Sequence, residues 1–316
     1  MKRAILPLAT LILLIILLSG CELFIEKPEA GKVYAILVAL DYKNTTEQSS
    51  LKGTLPDARE LNRAWEAVTA KAQGEKEYHG YLFLQDNADT PKDLDIGDEN
   101  VNSLPTSEHI LKAIKTLQSI TTSNDLIIFT YSGHGSEAGE LLLVTTEAGK
   151  THKGFPASSI LDALSKVPGR KLMILDTCFS GLSVPESGAS HSTLLNNNIS
   201  KWYKKYWDSS RYTKPEVFVI TASADTESHE DTFDGEDHGI FTYALLQGLG
   251  WEEKKGSVTT AIPPAAKEKQ LTADSLLSYI KKHQQAPLKR TLLNPSATFQ
   301  HPLVSGGALD MVLFTF

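Results

Sequence analysis

Leu126-Ile127-Ile128-Phe129-Thr130-Tyr131 is an apolar run that ends in a polar, glycine-flanked turn, Ser132-Gly133-His134-Gly135. A second stretch repeats the pattern: Leu172-Met173-Ile174-Leu175 runs into Asp176-Thr177-Cys178-Phe179-Ser180-Gly181. Short apolar runs bounded by turn residues read as buried strands. In an open α/β sheet, ligands bind beyond the carboxyl ends of such strands. If the two strands are neighbours and parallel, His134 and Cys178 emerge at one edge as a Cys–His pair, the minimum for thiol nucleophilic catalysis. The thiolate is the reactive form, and a nearby imidazole favours it. The flanking glycines let a substrate approach the backbone, whose N–H groups would hold an oxyanion. Each residue alone has a plainer reading, a small buried thiol and a polar surface imidazole. Their shared framing at two strand ends is what points to chemistry.

Working outward, apolar runs alternate with amphipathic stretches from residue 33 onward. Strands are expected over 33–40, 81–84, 126–131, 172–175 and 217–221, with a last one over 311–316. Helices are expected over 55–72, 107–120, 158–167, 241–249 and 271–283. The first carries Leu55, Ala58, Leu61, Trp65 and Val68 on one face. Alternating strands and helices argue for an α/β fold with a mostly parallel central sheet and helices on both faces. Residues 86–105 are polar and turn-rich and read as a loop. Residues 183–214, rich in Ser and Asn and then in Lys and Tyr, read as a surface loop or insertion, and so do residues 250–270. No repeat at solenoid periods is present.

The chain of 316 residues is long enough for a sizeable core. Its 22% charged and 8% aromatic content exclude wholesale disorder. With 38 acidic against 31 basic side chains it lacks the basic excess of a nucleic-acid binder, so no nucleic-acid partner is expected. Two cysteines, Cys21 and Cys178, exclude a disulfide framework and a cysteine-rich zinc site. Counting alone still allows them to pair with each other. No His-Glu-x-x-His spacing occurs. The acidic segment 230–238 fails as an EF-hand: with Gly235 at position six, Glu230 falls first, Thr232 third and Phe241 twelfth. It reads as a solvated acidic loop, and no metal or cofactor is expected.

Cys21 closes a different kind of segment. Lys2 and Arg3 precede an apolar run over 4–18, followed by Ser19, Gly20 and Cys21. That order makes a secretory signal peptide, too short for a comfortable membrane span. Leu18-Ser19-Gly20-Cys21 resembles a bacterial lipobox, in which the cysteine becomes the first mature residue and carries lipid. Residues 1–20 would be the signal, 21–32 a lipidated tether, 33–304 the folded domain, and 305–316 a C-terminal strand or tail. The expected location is the cell envelope, anchored to a bacterial membrane and facing the periplasm or the exterior.

The two strand-end motifs together resemble those of caspase-like cysteine peptidases, in particular the metacaspase and bacterial caspase-like branch. Tyr131-Ser132-Gly133-His134-Gly135 is similar to that branch's histidine motif, and Asp176-Thr177-Cys178-Phe179-Ser180-Gly181 to its Asp-x-Cys-x-Ser-Gly motif. Leu51-Lys52-Gly53 with Pro56-Asp57-Ala58, and Gly239 through Leu245, resemble two further elements of the branch in the same order. The resemblance implies a caspase-like sandwich and endopeptidase activity on protein or peptide substrates, with His134 and Cys178 catalytic. It implies backbone N–H groups of Gly135 and Cys178 as the oxyanion hole. It also implies cleavage after Arg or Lys, with Asp57, Ser132 and Asp176 in the S1 pocket and Asp225 as a weaker member. Asp176 also reads as a structural carboxylate capping the next turn. The calcium-dependent metacaspases carry an acidic Asp-Gly cluster after the histidine motif; Ser136 through Leu141 has no Asp, which speaks against calcium activation without removing it. Lys201, Lys204, Lys205 and Arg211 make the 183–214 segment a candidate for self-cleavage. Two other functions stay open, a silent caspase-fold scaffold that binds partners and a peptidase with Asp or Asn at P1. Oligomeric state is not legible.

The lipid assignment has a direct test. Cells expressing the full chain and fed a labelled fatty acid should place label and protein together in the membrane fraction. Cys21→Ala should lose the label; a labelled Cys21→Ala chain would remove the assignment.

Overall fold

Val33–Ala39 (β1) is buried at every position, which a strand achieves only where both faces of its sheet are covered. A computed structural model of the chain describes residues 31–316 except 44, 75, 86–103, 137, 179–190, 208–216, 224–227, 285–301 and 307–309. After β1 come α1 (Thr54–Lys71), β2 (Tyr78–Leu84), α2 (Ser107–Ile120), β3 (Leu126–His134), β4 (Leu141–Val144), β5 (His152–Phe155) and α3 (Ala157–Leu164). Then follow β6 (Arg170–Cys178), α4 (His191–Trp207), β7 (Val217–Thr221), β8 (Glu230–Phe233), β9 (Glu236–Gly239) and α5 (Ile240–Leu249). The last elements are β10 (Trp251–Glu252), β11 (Ser257–Val258), β12 (Gln270–Thr272), α6 (Ala273–His283), β13 (Leu303–Gly306) and β14 (Val312–Thr315).

Six strands form the central sheet in the order β13-β7-β6-β3-β1-β2. The five from β7 to β2 are parallel, and β13 adds an antiparallel edge. Side-chain alternation splits the core in two. Val33, Ala35 and Leu37 pack with Leu61 and Trp65 of α1, Leu245 of α5 and Leu276 of α6. Tyr34, Ile36 and Val38 pack with Ile110 of α2, Ile160 of α3 and Ile199 of α4. The fold is therefore α/β, with a mostly parallel sheet and helices on both faces, as the alternating pattern implies.

Four expectations are corrected. Residues 191–207, inside the expected 183–214 loop, form α4. Its Leu195, Ile199, Trp202 and Tyr203 recur at helical spacing and are buried, while Lys201, Lys204 and Lys205 are exposed on the helix rather than strung along an extended loop. The run Asn196-Asn197-Asn198 hid this stripe, because Asn is a poor helix former; the packing of the apolar face supplies what propensity lacks. Segment 250–270 is not merely a surface loop either, since Trp251, Val258 and Ala265 are buried against the α1 side of the core. The acidic segment 230–238 is the β8–β9 hairpin, not a solvated loop. Glu230 turns its carboxylate inward, accepting Lys52 N–H at 3.0 Å and Gly53 N–H at 2.8 Å at the start of α1. Phe233 stacks on Tyr243 of α5, with ring centroids 4.0 Å apart. Residue 304, given as the domain's end, lies inside β13, and β14 pairs with β12.

Ile199→Ala should cost about 2–5 kcal/mol of stability if α4 covers the sheet. Lys201→Ala, exposed on the same helix, should stay within about 0.5 kcal/mol of the parent. Urea midpoints of the two variants compare these values, and a neutral Ile199→Ala would show that α4 does not belong to the core.

Candidate active site

The pairing of β3 with β6 is parallel and continuous from Leu126↔Arg170 to His134↔Cys178. His134 and Cys178 are thus register partners at the carboxyl ends of adjacent parallel strands, as the two motifs imply. His134 is 1% exposed. Its backbone is held at both ends by tyrosine hydroxyls. The His134 N–H donates to Tyr42 Oη at 2.9 Å, and Tyr131 Oη–H donates to the His134 carbonyl at 2.6 Å. Tyr42 in turn donates to the Leu142 carbonyl at 2.9 Å, and Tyr131 accepts Leu142 N–H at 3.1 Å. The tyrosines so lock the end of β3 to β4.

The imidazole is oriented too. His134 Nε2 lies 2.8 Å from the Ser49 carbonyl. A carbonyl oxygen only accepts, so Nε2 carries the proton and Nδ1 is the basic nitrogen of the neutral ring. The Tyr42 ring packs against this ring at 4.5 Å, tilted by 34°, and Tyr42 has φ of 55°, a left-handed conformation that bulky residues rarely adopt. Its N–H donates to Gln85 Oε1 at 3.1 Å, which leaves the Gln85 amide nitrogen to donate to His152 Nε2 at 2.9 Å. Gly133 serves a different purpose from the one read in the sequence. A Cβ there would lie 2.8 Å from Tyr42 Oη and 2.9 Å from Tyr131 Oη, so its smallness admits the tyrosine clamp rather than a substrate. Gly135 bridges to Leu141 across the β3–β4 turn, and the hydrogen bond beside it runs from Ser136 N–H to the Glu140 carbonyl.

The expected pocket acids come together at the N-terminus of α5. Asp57, on α1, accepts Gly239 N–H at 3.1 Å, and Ser132 Oγ–H faces the same oxygen at 3.5 Å. Asp176, on β6, accepts Thr242 Oγ1–H at 2.7 Å, Thr242 N–H at 3.3 Å and Ser228 Oγ–H at 2.6 Å. Orphan N–H groups and the positive end of the helix dipole favour carboxylates there. Asp176 caps the turn that opens α5; the turn after β6 lies outside the described residues. Gly239 fits between the two acids: a Cβ would collide with Asp176 Oδ2 and lie 3.2 Å from Asp57 Oδ2. Burial raises the Asp176 carboxyl against the pull of Ser228 and Thr242. Burial likewise pushes Asp57 up to about 7, against its contact with His238.

His238, on β9, is the partner missed in the sequence. Its Nδ1 lies 2.8 Å from Asp57 Oδ1, and both side chains are fully buried. Burial lowers its basicity, but the Asp57 hydrogen bond and the charges of Asp57, Glu60 and Glu253 outweigh it and push it up to about 9. Of the pair, the imidazole keeps the proton at neutral pH. No sequence signal marks the Asp57–His238 contact, which joins residues 181 apart. Tyr42 and Ser49 were missed for the same reason. Asp225 and Cys21 lie outside the described residues, and Cys178 is described through its backbone.

Residues 32–288 match the family described as a caspase domain. The chain belongs to the caspase-domain family of cysteine peptidases. Metacaspase-1 of Schizosaccharomyces pombe (strain 972 / ATCC 24843) is 28% identical over 111 residues, covering 35% of this chain and 22% of that relative. The match therefore spans about a fifth of the relative's length. Among solved structures, a protein of Geobacter sulfurreducens is similar at a TM-score of 0.47 and 14% identity, over 90% of this chain and 98% of that one. Caspase-1 of Spodoptera frugiperda is similar at 0.45 and 13%, over 90% and 89%. The caspase domain of this chain thus takes in both strand-end motifs and the α5 acid cluster.

His152 gives the site a pH signature. Burial first, and the His134 imidazole second, pull it down to about 4, with Asp41 opposing. The unfolded chain takes up this proton near pH 6.5, before the folded one does. The stability His152 carries is therefore present above pH 6.5 and lost as pH falls through about 4. The urea midpoint should decline over that window, more steeply in the parent than in His152→Gln. Parallel declines would assign the titration elsewhere.

Proposed function

We propose that this chain is a cysteine endopeptidase that cleaves after Arg or Lys through a Cys178–His134 dyad. The observation that carries the reading is the register pairing of His134 with Cys178 at the carboxyl ends of β3 and β6. His134 Nδ1 accepts the Cys178 thiol proton. The thiolate then attacks the scissile carbonyl carbon, and the carbonyl electron pair moves to oxygen. Backbone N–H groups of Gly135 and Cys178 receive that oxyanion. Collapse of the adduct breaks the C–N bond, and the leaving amine takes the proton from His134. Water then adds to the thioester, giving its proton to His134, and the acid product leaves as Cys178 regains the proton.

Asp57 and Asp176 supply the negative charge, and Ser132 the hydroxyl, of a pocket for a cationic P1 side chain; charge-assisted hydrogen bonds make guanidinium and ammonium the fitting partners. Asp225 is the fourth member of this assignment. A P1 Asp would meet like charge. In the same reading the domain hangs from a bacterial envelope membrane through lipid on Cys21 and meets protein or peptide substrates outside the cytoplasm. No nucleic acid takes part, and neither calcium nor a cofactor enters the chemical steps.

A panel of fluorogenic peptides with Arg, Lys, Asn and Asp at P1 tests this. Cys178→Ala and His134→Ala should each lower kcat/KM on the Arg peptide by about 10³-fold or more. Asp176→Asn should lower it by about 10–100-fold, the worth of a lost charge-assisted contact, while leaving the slower Asn peptide nearly unchanged. Turnover of Asp but not Arg peptides would sink the pocket assignment. Activity indifferent to Cys178→Ala would sink the mechanism, and a folded chain inert on every peptide would favour a scaffold.

A further inference from the structure

His238 Nδ1 is occupied by Asp57, but its other nitrogen points into a second cluster that the peptidase steps do not use. Nε2 lies 3.6 Å from Glu60 Oε2 and 3.3 Å from Glu253 Oε2. The three residues come from separate segments: Glu60 from α1, His238 from β9, and Glu253 from the short turn after β10. Glu60 is 6% exposed and His238 0%. Glu60 Oε2 and His238 Nε2 are both buried with no hydrogen-bond partner among the described residues. Buried polar atoms are normally satisfied; these two face each other at 3.6 Å without a hydrogen bond.

The chemistry and spacing of that point are specific. Glu60, His238 and Glu253 each offer one ligand atom, all within 4.8 Å of one another. A tetrahedral ion with bonds of about 2.0–2.1 Å sets its ligand atoms about 3.3 Å apart, close to both contacts of Nε2. Calcium takes six to eight oxygen ligands; an imidazole with two carboxylates suits zinc and its neighbours instead. The surroundings also match those of a metal-binding histidine. Such a ligand usually gives its second N–H to a carboxylate that orients the ring, and Asp57 stands at that position, 2.8 Å from Nδ1. Trp251 Nε1–H donates to Glu253 Oε2 at 3.0 Å, and Arg63 approaches the other oxygen of Glu60 at 3.8 Å.

We propose that Glu60, His238 and Glu253 form a binding site for a divalent ion of the zinc type, with Asp57 orienting the imidazole and water completing the shell. Binding displaces the Nε2 proton to solvent, as metal binding to histidine requires. The ion would tie α1, the β8–β9 hairpin and the β10 turn together beside the α5 acids. The site uses neither Cys178 nor His134, so it stands or falls separately from the peptidase reading. The sequence shows none of this, because each segment contributes a single ligand.

The test uses the untagged full chain carrying Cys178→Ala, which removes the competing thiol. After EDTA treatment and dialysis it is titrated with Co²⁺. One saturable equivalent per chain is expected, with visible absorption of a low-coordinate N/O site, no thiolate band, and displacement by Zn²⁺. Glu60→Gln with Glu253→Gln on this background should weaken binding by at least about 100-fold. Glu253→Gln alone, in the outermost of the three positions, serves as the second variant should the double one fail to fold, and should weaken binding about tenfold or more. No saturable equivalent in the Cys178→Ala chain, or binding unchanged in the folded variants, would overturn the proposal.

Discussion

The parallel pairing of β3 with β6 is the constraint on which the rest depends. Nine consecutive register pairs run from Leu126↔Arg170 to His134↔Cys178, and they are anchored by Ile128, Phe129, Leu172 and Met173, all buried. Side chains alternate between two cores, so a slip of one residue would exchange the whole apolar set of each strand between them. Burial upstream therefore sets which residues stand opposite each other at the strand ends. The polar positions Ser132, His134, Asp176 and Cys178 inherit their alignment from apolar packing several residues away.

A second layer of order comes from managing buried charge. Asp57 and Asp176 are essentially inaccessible to water, and isolated buried carboxylates are costly. Both are placed where the N-terminus of α5 offers N–H groups, from Gly239 and Thr242. Hydroxyls of Ser228 and Thr242 complete Asp176, and His238 completes Asp57. Removing one partner from such a cluster leaves the other charge uncompensated. Hence Asp57 and Asp176, the hairpin that brings His238, and the helix that receives both carboxylates are coupled parts of one arrangement.

Legibility varied with how local the cause was. Helix α2 was readable to its ends, because its apolar stripe recurs at helical spacing and Thr106 caps it, accepting the His109 N–H. The buried strands were readable as apolar runs, although β3 and β6 continue through the polar motif residues, where composition no longer signals a strand. Helix α4 was not readable, since three asparagines interrupt its stripe. The strands β5, β8 and β9 were hidden by their charged and glycine-containing sequences, whose strand form comes from pairing, and β4, a four-residue apolar run, was left unread beside them. At the site, His134, Cys178, Asp57, Ser132 and Asp176 could be named from motifs. Thr242 lay in the Gly239–Leu245 motif without a role assigned to it, and the other residues that hold them, Tyr42, Ser49 and His238, could not be named.

By itself the sequence determined the α/β class, the succession of most elements and the two strand ends that carry the His134 and Cys178 motifs, because periodicity and turn residues act over a few positions. Only the tertiary structure decided that His134 stands opposite Cys178, that two acids share one helix terminus, and that His238 joins Asp57 on one side and Glu60 and Glu253 on the other. Those relations are contacts between segments tens to nearly two hundred residues apart. They follow from strand register and helix placement, which local sequence does not encode.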